Sequence, residues 1–133
     1  MKHDPGDFER VSSHAIWEER VGYCRALRAG NLVFVTGTAP VDERGSGVHA
    51  VGDAYAQARR CLELIERAIA GFGVDRTRIV RTRMFVTDIS RWEEFGRAHA
   101  EFFAEHRPTT AMVEVRRLIH PDMLIEIEAD AVT

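Results

Sequence analysis

Several side chains in this chain are able to do chemistry, and their spacing decides which chemistry is open to them. In the run Ile125-Glu126-Ile127-Glu128-Ala129-Asp130, acids alternate with apolar residues, so a strand here carries its carboxylates on one face. Between Ile79 and Thr87, Arg81 and Arg83 oppose Val80, Met84 and Val86. These acidic and basic rows could pair with each other, face water or line a contact between subunits. His99 and His106 suggest a metal site, but seven residues on one helix separate them by about 10 Å along the axis. One ion cannot join both, so packing or local hydrogen bonding is the reading. His120-Pro121-Asp122 reads as a turn, and no metal is assigned to it. Gly45-Ser46-Gly47 and Gly71-Phe72-Gly73 lack the motif and the strand-to-helix setting of a phosphate loop, and no Gly-x-Ser-x-Gly elbow occurs. Cys24 and Cys61 form no C-x-x-C pattern and read as small buried hydrophobes.

The elements that must position these groups follow from periodicity and punctuation. Residues 1–16 are polar and read as an irregular N-terminal arm, and residues 17–133 as a single domain. Tyr23 to Leu27 is strand-like, Ala29-Gly30-Asn31 is turn chemistry, and Leu32 to Thr36 is an apolar strand, which together make a hairpin. Asp42 to Gly52 is a glycine-bearing loop. Asp53 can cap a helix running to about Ala70, with Ala54, Ala58, Cys61, Leu62, Ile65 and Ile69 on its apolar stripe. Gly71 and Gly73 stop it, and Ile79 to Thr87 follows as a strand. Ser90-Arg91-Trp92-Glu93 reads as a capping box. The helix it opens lines one face with Trp92, Phe95, His99, Phe102 and His106, and Pro108 ends it. Ala111 to Val115 and Leu124 to Ala131 are the last strands. The order β-β-α-β-α-β-β implies an α+β layer with two helices on one face of a sheet.

Composition narrows the function classes. Apolar residues make up 45% and charged residues 29% of 133 residues, a balance that supports one hydrophobic core. No apolar run approaches the ~18 residues a membrane span needs. Met1 to Asp7 lacks the apolar core of a signal peptide, so a cytoplasmic location is expected. The net charge is −3 with a pI of about 6.1, which does not favour nucleic acid as a partner.

Four stretches in order carry a resemblance. Tyr23 ahead of Gly30-Asn31-Leu32-Val33-Phe34-Val35-Thr36-Gly37 is the first, and Asp53-Ala54-Tyr55-Ala56-Gln57-Ala58 the second. Val80-Arg81-Thr82-Arg83-Met84-Phe85-Val86-Thr87-Asp88 is the third. Pro108-Thr109-Thr110-Ala111-Met112-Val113-Glu114-Val115, with Ile125-Glu126-Ile127-Glu128-Ala129, is the fourth. Together they resemble the Rid family of reactive intermediate deaminases, also called YjgF/RidA, over about residues 21 to 131.

The resemblance implies a chorismate-mutase-like α+β fold on a mixed sheet. It also implies a homotrimer with a barrel-like centre and small-molecule pockets in the clefts between subunits. It places Glu126 where the family positions or activates water, Tyr23 at the pocket tyrosine, and Thr36 and Gly37 at the strand end. Thr110 stands where deaminase members carry the arginine of Pro-Ala-Arg, Met112 where cysteine is common, and Gly96 where asparagine is common. A threonine offers a hydroxyl and no charge, so a carboxylate would lose its bidentate partner, a contact worth roughly 1.5–3 kcal/mol. Arg25, Arg83, Arg116 and Arg117 are the candidates to replace it.

The implied activity is hydrolysis or deamination of a small imine, enamine or related metabolite, with Glu126 handling water and no cofactor required. A trimeric small-molecule binder without catalysis is the alternative, favoured by Thr110. An endoribonuclease ranks third because the chain is acidic and has no basic stripe.

Overall fold

The computed structural model describes residues 2–3 and 8–133. Its elements run β1 (Lys2–His3), β2 (Glu9–Val11), α1 (Ile16–Val21), β3 (Ala26–Ala29), β4 (Leu32–Thr38) and α2 (Ala54–Ala70), followed by β5 (Ile79–Val86), α3 (Trp92–Phe103), β6 (Thr109–Glu114) and β7 (Ile125–Val132). The strands form one mixed sheet in the order β1-β2-β3-β4-β7-β5-β6. Every neighbouring pair is antiparallel except β5 and β6, which run parallel and are joined through α3. α2 and α3 pack on each other, and α2 also lies on β4 and β7.

α2 forms where its stripe and cap predict. The Asp53 carboxylate accepts from the Ala56 amide at 2.9 Å, satisfying one of the free donors of the first turn. Ala54, Ala58, Cys61, Leu62, Ile65 and Ile69 are all fully buried. Each of the larger ones contributes roughly 1.5–3 kcal/mol by leaving water. Opposite them, Ile125, Ile127, Ala129 and Ala131 of β7 and Val33 and Val35 of β4 complete the core. The alternation in β7 therefore holds as read: apolar toward the helices, acidic toward the other face.

Three readings of the chain need correction. The N-terminal arm is not irregular where it is described. Glu9–Val11 pairs with β3, with Val11 opposite Ala26, and Lys2–His3 pairs with β2. β3 would otherwise leave an open edge, and the short polar strands cover it. Residues 1 and 4–7 of that arm lie outside the described residues. The arm leads into a third helix, α1, and Tyr23 falls in the turn after it rather than in β3.

The second correction concerns α3. Asp88, not Ser90, does the capping: its carboxylate accepts from the Ser90 amide at 3.0 Å and opens a 3-10 turn over Ile89–Arg91. α3 then ends at Phe103, where Ala104 takes φ 51°, so His106 is off the helix. The third concerns Val80. The β5–β7 register shifts between Ile79 and Arg81, so Ile79 is buried and Val80 exposed, while Thr82 stays on the inward face with Met84 and Val86. Among the described residues no helix is long and apolar enough to cross a membrane.

Candidate functional site

The sheet face away from α2 and α3 carries the acids of β7. Arg83 on β5 donates to Glu128 at 3.2 Å and to Asp130 at 3.4 Å, so the basic and acidic rows pair with each other. Glu126 is not in that pairing. It sits beside the register shift between Val35 and Thr38, where β4 bends away from β7. At the bend Gly37 lies directly under the carboxylate: a Cβ built there would come within 2.4 Å of Glu126 Oε2. Only glycine leaves this space, so Gly37 serves close approach here.

Arg25 completes the corner. Its Nη2 donates to the Gly37 carbonyl at 3.0 Å, and its guanidinium lies 5.8 Å from the Tyr23 ring centre. Burial pushes the Glu126 carboxyl above its ordinary range, Arg25 pulls it back, and Glu128 adds to the rise. Burial likewise lowers the Arg25 pKa, opposed by Tyr23, Glu18 and Glu126. Arg25 Nε is the one buried side-chain nitrogen or oxygen without a partner among the described residues.

α1 walls this corner. Gly22 takes φ 88° and ends the helix, and the Tyr23 amide bonds back to the Glu18 carbonyl at 3.0 Å. Glu18 itself is buried. Burial works against its charge, but donors from Ser13 and Ser12 outweigh that and hold its carboxyl below the usual range. The result is a groove of about 640 Å³ whose lining includes Glu18, Tyr23, Cys24, Leu27, Phe34 and Thr36. Tyr23, Thr36, Gly37 and Glu126 thus fall in one neighbourhood.

Thr110 and Met112 do not join them. They lie on β6, with β5 between them and β7, and they face the helix side of the sheet. Met112 packs against the core. Thr110 accepts a hydrogen bond from Thr82 Oγ1 at 2.7 Å, and Thr82 Oγ1 lies 2.8 Å from His99 Nε2. Burial pushes the His99 pKa down to about 4, so its ring is neutral at pH 7. His99 therefore makes a local hydrogen bond, in keeping with the non-metal reading, although His106 does not share its helix. Thr82 shares the inward face with Met84 and Val86 by plain alternation, but nothing in the sequence marks its hydroxyl for a partner. Of the four candidate arginines only Arg25 reaches Glu126, while Arg83 is held by Glu128 and Asp130. Among the described residues no group of three His, Cys, Asp or Glu side chains could hold a metal ion.

A mixed sheet with helices on one face, and a carboxylate lodged over a glycine on the other, defines a small α+β domain of the chorismate-mutase-like kind. The family described as Endoribonuclease L-PSP matches residues 13–133, and the chain belongs to that family, the YjgF/RidA family. A crystal structure of Rv2704 from Mycobacterium tuberculosis, described as a member of the YjgF/YER057c/UK114 family, is 46% identical with a TM-score of 0.85, covering 95% of this chain and 99% of that one. The 3-aminoacrylate deaminase RutC of Acinetobacter baylyi is 38% identical over 82% of this chain and 85% of its own length. E. coli TdcF, solved with bound serine, is 32% identical with a TM-score of 0.76, over 84% of this chain and 87% of that one. The resemblance carried by the four sequence stretches is borne out.

Proposed function

We propose that this protein is a hydrolase that deaminates a small imine or enamine, in a cleft completed where the Glu126 corner of one copy meets the β6 edge of the next in a homotrimer. The observation that carries the reading is Glu126: a half-buried carboxylate, fitted over Gly37, beside Arg25. Such a group is raised toward the range where a general base works at neutral pH. Glu126 takes a proton from water as the oxygen attacks the imine carbon. That proton passes to the nitrogen, the proton of the new hydroxyl follows it by way of the same carboxylate as the C–N bond breaks, and ammonia and a carbonyl product leave. Tyr23 and Thr36 line the approach to this corner. The two relatives named for 3-aminoacrylate deamination and for bound serine support a small polar substrate. Assembly is supported by the exposed apolar side chains Leu32, Phe34, Val80 and Val113 on the strands around both half-sites.

The test is hydrolysis of an imine generated in situ by a helper enzyme, using 2-iminobutyrate and its amide counterpart. Decay accelerated by the protein and lost in Glu126→Gln is expected. Equal decay of both imines with and without protein overturns the hydrolase reading. A monomeric mass by light scattering at micromolar protein would remove the shared cleft.

A binding role without catalysis is the second reading, favoured by the uncharged Thr110 on the β6 edge. Ribonuclease activity, the sense of the family description, ranks below both because of the net charge of −3. Activity on RNA that survives Glu126→Gln and stringent purification would reverse that order.

A further inference from the structure

The hydrogen-bonded chain His99–Thr82–Thr110 has no part in the chemistry assigned to Glu126, and it is a built feature. Thr82 is fully buried, His99 is largely buried, and Thr110 at the outer end is exposed on the edge strand. Both links are short, 2.8 and 2.7 Å. Threonine hydroxyls each donate once and accept twice, and a neutral imidazole nitrogen either donates or accepts. The chain can therefore run in two directions. With Nε2 protonated, His99 donates to Thr82, Thr82 to Thr110, and Thr110 donates outward. With the proton on Nδ1, an outside group donates to Thr110, Thr110 to Thr82, and Thr82 to Nε2. Either way every inner group stays satisfied and no net charge appears. The arginines of the neighbouring strand, Arg81 and Arg83, lie on the other face of the sheet.

We propose that this chain is a specificity device: Thr110 reads an uncharged polar group of the ligand, of the primary amide or hydroxyl class, and His99 and Thr82 are positioning residues that let it do so. On this face of the edge a carboxylate would find a single donor from Thr110 and no arginine of the same strands, and an anion taken out of water without a partner is penalised. A neutral amide or hydroxyl both donates and accepts, which suits a chain that switches direction. The inference deepens the proposed function and rests on its placing the β6 edge in the ligand cleft.

The experiment is an NMR titration of the full-length protein with 2-oxobutanamide and with 2-oxobutanoate, stable product-like probes that differ only in this group. The amide is expected to bind about ten-fold or more tightly than the carboxylate, and its binding should shift the His99 ring nitrogens. Thr110→Val should bring the two affinities together, and His99→Phe should lose most of the preference while Thr110 remains. Thr110→Arg should invert it. Equal or tighter carboxylate binding by the unmodified protein overturns the proposal, as does failure of the amide to bind, or a preference unchanged in Thr110→Val. Where Thr110→Val fails to fold, Thr110→Ser serves, and it should keep the preference. Imine decay that is equal with and without the protein would sink the hydrolase reading, while the amide preference, read by binding alone, would stand.

Discussion

The corner at Glu126 and the edge at Thr110 are built by opposite means. At the corner a charge is placed where burial works against it, and a second buried charge, Arg25, holds it in check. At the edge charge is avoided: two hydroxyls and a neutral imidazole satisfy one another. The first arrangement is tuned by pH and tolerates little steric change. The second is indifferent to pH near neutrality and depends on unbroken bonds. Reactivity suits the first and recognition the second.

The largest expected effect comes from the frame that carries the corner. Gln57 is fully buried on α2, donates to the Asp122 carbonyl at 2.9 Å and accepts from the Leu124 amide at 2.8 Å, at the entry to β7. Gln57→Leu strands both backbone groups and should cost about 3 kcal/mol in urea denaturation. It should leave the His99 and Thr110 resonances in place; matching shifts at the edge would show that the two regions are not independent.

Next is Gly37→Ala. The new methyl displaces the Glu126 carboxylate, a flexible side chain, rather than backbone. Imine turnover should fall about 100-fold, equivalent to about 2.7 kcal/mol of barrier, with the melting temperature nearly unchanged. A variant that keeps full turnover would deny the corner its role.

pH separates the regions further. His99 falls from 6.5 to about 4 through burial, so unfolding lets it take up a proton between those values. Its contribution to stability is whole above pH 6.5 and is lost as pH falls toward 4, by on the order of 2 kcal/mol once its partial exposure is discounted. Denaturation of wild type and His99→Gln at pH 7 and pH 4.5 should show a smaller drop in the variant.

Glu126 has the opposite sign. Its folded pKa is raised, so its contribution is present below the unfolded value and lost as pH rises through the folded one. Glu126→Gln should be more stable than wild type in urea denaturation at pH 8, with no difference at pH 4. A destabilised Glu126→Gln at pH 8 would mean that Arg25 outweighs burial at the corner.

Much of this was legible in the sequence, where local rules and long-range packing agreed. The stripe of α2, the Asp53 cap and the alternation of β7 each follow from a single period, and the fold keeps all three. What was hidden depended on register. A shift between Ile79 and Arg81 turns Val80 out and Ile79 in, and a shift between Val35 and Thr38 opens the space over Gly37. Neither has a residue signature, since the strands on both sides look regular. The cap of α3 was misjudged because Ser90-Arg91-Trp92-Glu93 fits a capping box, while Asp88 two residues earlier takes the Ser90 amide first. Glu126, Tyr23, Thr36 and Gly37 were named through resemblance alone, and the fold draws them together. The β-strand Glu9–Val11 was missed because a short polar strand has too few residues to show alternation.

β7 is the latest of these elements along the chain and yet the middle of the sheet, paired to β4 on one side and β5 on the other. On the ribosome, the β3–β4 hairpin and the β5–α3–β6 unit must wait as separate halves, each with a bare apolar flank, until β7 emerges to join them. Contacts of long sequence separation then close together, which makes folding one late, slow event and leaves the nascent chain dependent on shielding until it happens. The strand that brings Glu126 is also the one that ends this exposure, so the Glu126 corner exists only in a chain already sealed.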